Sequence, residues 1–449
     1  MRLDVQVGGR TVAQLYRERD EYVLKYLPGA APEDFVSLTM PVREAPWRWP
    51  RDLHPFFRQN LPEGFLLAVI REEFGPLLDG TDLSLLAIVG GMGVGRVTVT
   101  PEGGSPGADL TPLHIESLLK EEHTTAHFAA LVRRYARASI SGMVPKFIAP
   151  QADDFAPVMP PGKPTLRTSR YIVKGSDDST PWLGFNEFYS MRVLERLEVV
   201  PVARTRMSDD GRVLVVERFD VSEQGVPTHG FEDACALLGL PPHEKYATTT
   251  ERVVQATRAY MPAARMRAQL EHLGWHLLTN YVVRNSDCHA KNIALHYTSL
   301  SDVSYTPVYD IVTTQAYPRY AASPPALAVD GRQAWGAGKT LERFFNSRLG
   351  IPPRQYAEMV ERLCESAIAV GGEVIEAAKN EPRWRSIAKQ MVHAWNEGIS
   401  SLRDPKRAPQ FRGLDGAITA AGFSDAAPPD GSRVVIGRSE LLASPRRKP

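Results

Sequence analysis

The chain has 449 residues, 43% of them hydrophobic, which is enough for two or three domains with real cores. Its 53 Lys and Arg balance 52 Asp and Glu, so no global basic field draws the whole molecule to nucleic acid, and any such contact must be local. Cys235, Cys288 and Cys364 lie far apart and are odd in number, which excludes a disulfide framework and a Cys-x-x-Cys zinc site and points to a reducing compartment.

Residues 2–27 alternate apolar and polar around Gly8-Gly9 (Leu3, Val5, Val7, Val12, then Tyr22, Leu24, Tyr26), which predicts a short antiparallel meander. Helical spacing follows in Phe57, Leu61, Phe65, Val69 and Ile70, split in two by Pro62 and Gly64. Residues 112–137 read as an amphipathic helix, Ser139 to Pro145 as a small-residue loop, Lys146-Phe147-Ile148 as a strand, and 151–168 as a polar, Pro-rich connector. The strand Tyr171-Ile172-Val173-Lys174, a helix over 186–197 and the apolar strand 213–216 then form a sheet carrying one helix. From about 228 the pattern is mainly helical, with Leu270, Leu273, Leu277 and Tyr281 on one buried face and two long helical patterns between 355 and 402. One strand pair, 293–297 with 304–307, interrupts it. The expected divisions are 1–107, 108–227, 228–424 and a Pro-, Ser-, Gly- and Arg-rich tail at 425–449. The start lacks the apolar core of a signal peptide, and no uncharged run approaches the roughly 18 residues of a membrane helix, so the expected location is the cytoplasm, with no membrane partner.

The run Asn285-Ser286-Asp287-Cys288-His289-Ala290-Lys291-Asn292 carries Asp-x4-Asn, the spacing of a protein-kinase catalytic loop, followed by a hairpin and Tyr309-Asp310-Ile311. Phosphoryl transfer needs an acceptor for the incoming hydroxyl proton, the role that suits Asp287. It also needs magnesium against the nucleotide oxygens, and the Asn292 amide and Asp310 carboxylate are the hard ligands this ion takes. Asp-x4-Asn alone is weak, since both residues also cap turns. Upstream, Lys174 ends an apolar strand where it can reach phosphates, and Glu187 in the next helix can pair with it; the bland alternative is an exposed strand-end lysine. Glu217, Arg218 and Phe219 stand where a kinase hinge offers backbone groups to adenine.

In this order the blocks Asn60–Gly64, Ser139–Gly142 with Lys146, Tyr171–Lys174, Asn186–Phe188, Val216–Asp220, Asp287–Asn292 and Thr306–Ile311 resemble the HipA family of bacterial toxin kinases over nearly the whole chain. The resemblance implies an α+β, bilobal protein-kinase-like fold: a β-rich N-terminal lobe with an added small N-terminal subdomain, and an all-α C-terminal lobe. It implies Asp287 as catalytic base, Asn292 and Asp310 as magnesium ligands, and ATP contacts from Lys174, Glu217, Arg218, Phe219, His289, Ala290, Lys291, Asn292, Tyr309 and Asp310. The loop Ser141, Gly142, Met143, Val144, Pro145 and Lys146 belongs to the same set, and Ser139 matches the serine that the family autophosphorylates to silence itself. Pro145 and Ser141 depart from the family loop: the first removes an amide donor, and the second offers an alternative acceptor. The implied cofactors are ATP and Mg2+. The implied partners are a HipB-like helix-turn-helix antitoxin, operator DNA mainly through that antitoxin, and a translation-related protein substrate, with glutamyl-tRNA synthetase as the family's known target.

Two other readings compete. A catalytically weak, antitoxin-bound co-repressor need not keep Lys174, Asp287, Asn292 and Asp310 together. A metal hydrolase would use His272, His276 and His289, but Leu273 after His272 breaks the His-Glu-x-x-His pattern, and buried helix histidines are the simpler expectation. The run Gly90-Gly91-Met92-Gly93-Val94-Gly95 lacks a Walker ending and reads as a tight turn, with Val94 near the adenine pocket at most.

Overall fold

The computed structural model describes residues 1–104, 114–141, 165–335, 338–403 and 413–423. Among them no helix is long and apolar enough to cross a membrane. The N-terminal meander extends into a five-stranded antiparallel sheet, ordered Trp47–Pro50, Glu21–Tyr26, Arg10–Glu18, Arg2–Val7, Val97–Pro101. Alternation turns Leu3 and Val5 inward, where they pack with Leu15 and Leu24 against the helices Gly64–Phe74 and Asp82–Val89. The outer strands and the second helix escaped the sequence pattern for physical reasons. Trp47–Pro50 spans only four residues, and Asp82–Val89 buries Leu83, Leu85, Leu86, Ile88 and Val89 on all sides, leaving no amphipathic stripe.

The second sheet runs Thr165–Arg167, Tyr171–Gly175, Val213–Glu217, Thr205–Met207, again antiparallel. Its central strand is apolar at four successive positions because both faces are covered. Val213 and Val215 pack with Phe128 and Val132 of the helix Thr125–Ser141, while Leu214 and Val216 turn to Leu183 and Phe185 on the helix Leu183–Glu195. Each such side chain contributes about 1.5–3 kcal/mol by leaving water. Gly175 is required by this packing, since a Cβ there would lie 2.5 Å from the Phe128 ring.

The single helix expected over 112–137 is instead two, Ile115–Lys120 and Thr125–Ser141. The break comes at His123, whose amide donates to Asp210 Oδ2 at 2.6 Å. The second helix continues through Ser139 and Ser141, where a loop was expected, and Gly142, Met143, Val144, Pro145 and Lys146 lie outside the described residues, as do the expected strand 146–148 and tail.

The C-terminal half is built on the helices Met266–Val282, Pro353–Asn380 and Arg385–Leu402. The first and last touch so closely that a Cβ at Gly398 would stand 2.0 Å from the Val282 carbonyl oxygen. This half is not all-α as the resemblance implied: it also holds a three-stranded sheet, because Gly230–Asp233 pairs with the hairpin Ala294–Tyr297 and Val303–Tyr305. The N-terminal sheet domain is pinned to it through Glu232. That fully buried carboxylate accepts from Ser37 Oγ at 2.8 Å, the Leu38 amide at 2.5 Å and the Tyr297 hydroxyl at 2.7 Å.

Candidate active site

Val173 faces Phe128, so strand alternation turns Lys174 the opposite way, toward the helix Leu183–Glu195. There Lys174 Nζ donates to Glu187 Oε1 at 2.5 Å and to Asp310 Oδ1 at 2.6 Å. Lys174 is 13% exposed and Glu187 only 1%, so this is an interior ion triad rather than the exposed strand-end lysine of the bland reading. Burial alone would lower the Lys174 pKa, but the Asp310 and Glu187 carboxylates outweigh it and raise the ammonium above its ordinary value.

The preceding residue places Glu187. Asn186 is fully buried, accepts from the Thr313 amide at 2.8 Å and donates to the Thr313 carbonyl at 2.9 Å. Thr313 is also fixed by Ser190 Oγ at 3.0 Å and by Trp395 Nε1 at 2.6 Å. One asparagine thus locks the helix that carries Glu187 to the segment that carries Asp310. Asp310 itself has φ 58°, a left-handed conformation that aspartate tolerates better than most residues.

The catalytic-loop sequence leaves the helix Met266–Val282 through Arg284, at φ 57°, and is held by short polar bonds. Asn285 Oδ1 accepts from the Asp287 amide at 3.0 Å, and Thr314 Oγ1 accepts from the Ser286 amide at 2.6 Å. Asn292 Nδ2 donates to Asp310 Oδ2 at 2.8 Å and to the Asp287 carbonyl at 3.3 Å, so the two motif residues and Asp310 form one connected unit. Asp287 accepts from the Tyr246 hydroxyl through Oδ1 at 2.5 Å.

These groups border a cavity of about 370 Å³. Of the sequence-expected residues, Lys174, Glu217, Arg218, Phe219, His289, Lys291, Asn292, Tyr309 and Asp310 line it; Ala290 is fully buried, and Asp287 does not line it but is tied to the lining through its carbonyl, which accepts from Asn292. Tyr309 and Phe219 face each other with ring centroids 5.8 Å apart, and the Tyr309 hydroxyl donates to the Lys291 carbonyl at 2.9 Å. Burial holds the His289 imidazole down to about 4, against the pull of Asp287. The Arg218 side chain ties the hinge to its neighbours: it donates to Asp220, to the Thr168 carbonyl at 2.9 Å and to the Gly93 carbonyl at 3.1 Å. The glycine run is therefore a turn braced against the hinge, with Gly95 at φ 98° and its amide 2.7 Å from Asp220 Oδ2. Val94 lines the cavity, its amide and carbonyl both bonded to the Asn60 side chain at 2.9 and 3.0 Å.

Sequence reasoning missed part of the wall. Glu63 pairs with Lys291, and with Lys245 at 3.6 Å, bringing the N-terminal domain across the cavity to the catalytic loop. Burial would raise the Glu63 pKa, but Lys291 and Lys245 together bring it below the ordinary value. The block Asn60–Gly64 drew notice without a role, and nothing local marks Lys245 or Tyr246, which lie in a turn after Pro241-Pro242. The helix histidines are core residues: His276 Nε2 lies 4.0 Å from Cys288 Sγ, His272 packs beside Tyr305, and burial lowers them to about 3 and about 4.

Among the described residues no group of three or more His, Cys, Asp or Glu side chains stands ready to hold a metal unaided. A nucleotide-bound magnesium asks less, taking one or two protein oxygens and completing its shell with phosphate and water. Asp310 and Asn292 fit that demand. Flipping the Asn292 amide, whose orientation follows its hydrogen bonds, puts its oxygen beside the Asp310 carboxylate.

Comparison with known proteins agrees with this layout. The chain resembles the candidate kinase Y4mE of Sinorhizobium fredii, 28% identical over 307 residues that cover 63% of this chain and 69% of the relative. A candidate kinase of Haemophilus influenzae is 25% identical over 197 residues, covering 40% of this chain and 55% of the relative. In fold it matches a chain of the Shewanella oneidensis MR-1 toxin–antitoxin complex of HipA, HipB and operator DNA, with a TM-score of 0.62, 22% identity, and coverage of 89% of this chain and 96% of that one. The fold is thus kinase-like, as the resemblance implied. Residues 3–100 match the HipA N-terminal domain and residues 138–370 the HipA-like C-terminal domain, so the chain belongs to the HipA family.

Proposed function

We propose that the chain is a toxin protein serine/threonine kinase, moving the γ-phosphoryl group of ATP onto a hydroxyl of another protein. The observation that carries this reading is the Lys174–Glu187–Asp310 triad on one cavity, joined through Asn292 to Asp287 by hydrogen bonds. In this reading Lys174 and Lys291 hold phosphate oxygens, and Val94, Ile172, Val216, Phe219 and Tyr309 enclose the adenine. The Glu217 and Arg218 amides already donate to the Arg204 and Arg170 carbonyls, which leaves the Phe219 amide as the hinge donor to the base. Asp310 and Asn292 hold magnesium, which when bound neutralises charge on the transferring phosphoryl group. Asp287, only half-buried, accepts the proton of the acceptor hydroxyl.

The same reading makes Ser139 or Ser141 the self-modified residue and the cytoplasm the compartment. A HipB-like antitoxin would neutralise the kinase and bring it to operator DNA, and a translation-related protein, glutamyl-tRNA synthetase first among them, would be its target. Family membership supports these assignments, and the fold neighbour solved with HipB and operator DNA is consistent with the partner. The test is transfer of label from γ-labelled ATP with magnesium, after phosphatase treatment, comparing wild type with Asp287→Asn. Self-labelling and labelling of a cytosolic protein that fall about 100-fold or more in the variant support the kinase. Wild type that binds ATP but labels nothing refutes it in favour of the co-repressor.

A further inference from the structure

The proposed base has a partner that the kinase roles leave unassigned. The Tyr246 hydroxyl donates to Asp287 Oδ1 at 2.5 Å, within the range of charge-assisted O–H···O⁻ bonds. Three contacts aim that hydroxyl. The neighbouring Lys245 carbonyl accepts from the Ala290 amide at 3.2 Å, stitching this turn to the catalytic loop. The Tyr246 ring meets the His289 ring edge-on at 5.1 Å, and Lys245 Nζ reaches Glu63 at 3.6 Å on the cavity side. Burial and the Asp287 charge both raise the Tyr246 pKa, so the phenol remains a donor throughout the working range.

We infer that Tyr246 is a positioning residue for Asp287: it holds one carboxylate oxygen and leaves the other to receive the acceptor hydroxyl's proton. This rests on the reading of Asp287 as the base. The other ionisable groups around the pair are Cys288, His289 and Lys291 on the same loop, Asp310 after the hairpin, Tyr320 on the turn Pro318–Tyr320, and Glu63 with Lys245 beside the cavity.

The experiment is kcat for Tyr246→Phe at pH 7, with KM for ATP and the melting temperature measured alongside. Phenylalanine keeps the ring against His289 and removes only the donor. The value of kcat should fall about tenfold with KM for ATP within twofold, since no proposed nucleotide contact changes. If the Phe variant folds poorly, 4-fluorophenylalanine at position 246 fills the space of the hydroxyl without a donor and should give the same fall. Wild-type kcat in the folded Phe variant, or in the fluorinated protein, overturns the assignment, as does a KM for ATP that changes as much as kcat. Should Asp287→Asn keep wild-type transfer, the base reading itself falls; should it lose transfer while Tyr246→Phe keeps wild-type kcat, only the role of Tyr246 falls.

Discussion

Replacing Glu187 with glutamine removes one charge from the interior triad and leaves its shape intact. Lys174 Nζ sits 2.5 Å from Glu187 Oε1 and 2.6 Å from Asp310 Oδ1, and Glu187 is 1% exposed, so water does little to screen the change. A glutamine oxygen can still accept from Lys174. What is lost is the difference between a charge-assisted bond and a neutral one, about 1–2 kcal/mol. The lysine is then drawn wholly to Asp310, away from the phosphates and onto the carboxylate proposed to hold magnesium. Both effects weaken binding of magnesium-ATP, and about 1–2 kcal/mol corresponds to roughly 5–30-fold in Kd. The ammonium pKa is raised in the folded chain, so the triad's stabilisation is fully present below the ordinary lysine value of 10.5 and is lost only as pH rises through the still higher folded value. The variant's melting deficit should therefore be constant from about pH 6 to 9. Titration with a fluorescent ATP analogue at several magnesium concentrations, with melting curves across that range, checks both parts. Wild-type affinity and magnesium dependence in Glu187→Gln would refute the reasoning.

Glu63→Ala should tighten nucleotide binding a few-fold by calorimetry, because it releases Lys291 and Lys245 toward the phosphates. The Glu63 side chain is 49% exposed, so solvent screening limits the stability lost to about 1 kcal/mol or less, and weaker binding would count against competition between this carboxylate and the nucleotide. Glu232 gives a pH test of the domain junction. Burial raises its pKa to about 7 from an ordinary 4.5, so the folded chain binds this proton more tightly than the unfolded chain, and stability should decline as pH rises across that window, by about 3 kcal/mol at most. Glu232→Gln should flatten that slope in denaturant melts, while lowering overall stability by about 1 kcal/mol, because its amide oxygen still accepts from the Leu38 amide and the Tyr297 hydroxyl but its nitrogen replaces the acceptor that Ser37 Oγ uses. An unchanged slope in the variant would remove Glu232 as its source.

What could be read from the residues was whatever local periodicity or spacing carries. Val213 to Val216 betrayed a strand covered on both faces, and Asp287, Asn292 and Asp310 betrayed a loop-and-hairpin unit whose hydrogen bonds now join them. What could not be read depends on approach from afar. Glu63 meets Lys291 across 228 residues, and Tyr246 meets Asp287 across 41. The strand Gly230–Asp233 is legible only once its partner hairpin is known, because its burial comes from the N-terminal domain above it. The helix expected over 112–137 failed for the same reason: its break at His123 is set by Asp210, 87 residues away.

That pattern bears on the N-terminal domain, whose family match stops at residue 100. Its contacts with the rest of the chain combine apolar packing, with Phe35 stacked on Tyr297 at 5.3 Å and Val69 packed with Phe128, and specific polar groups. Asn60 Oδ1 accepts from Arg167 Nη1 at 3.4 Å, Gln59 donates to the Phe231 carbonyl at 3.0 Å and accepts from the Asp233 amide at 3.0 Å, and Arg96 Nη1 donates to the Thr298 carbonyl at 2.9 Å. Such bonds demand fixed geometry and leave buried donors or acceptors unsatisfied when broken, at about 1–3 kcal/mol each. A domain that only tethered the kinase lobes would need none of them. Their concentration beside Glu63 and Val94 means that this domain forms one wall of the cavity and fixes the position of the loop that carries Asp287 and Asn292.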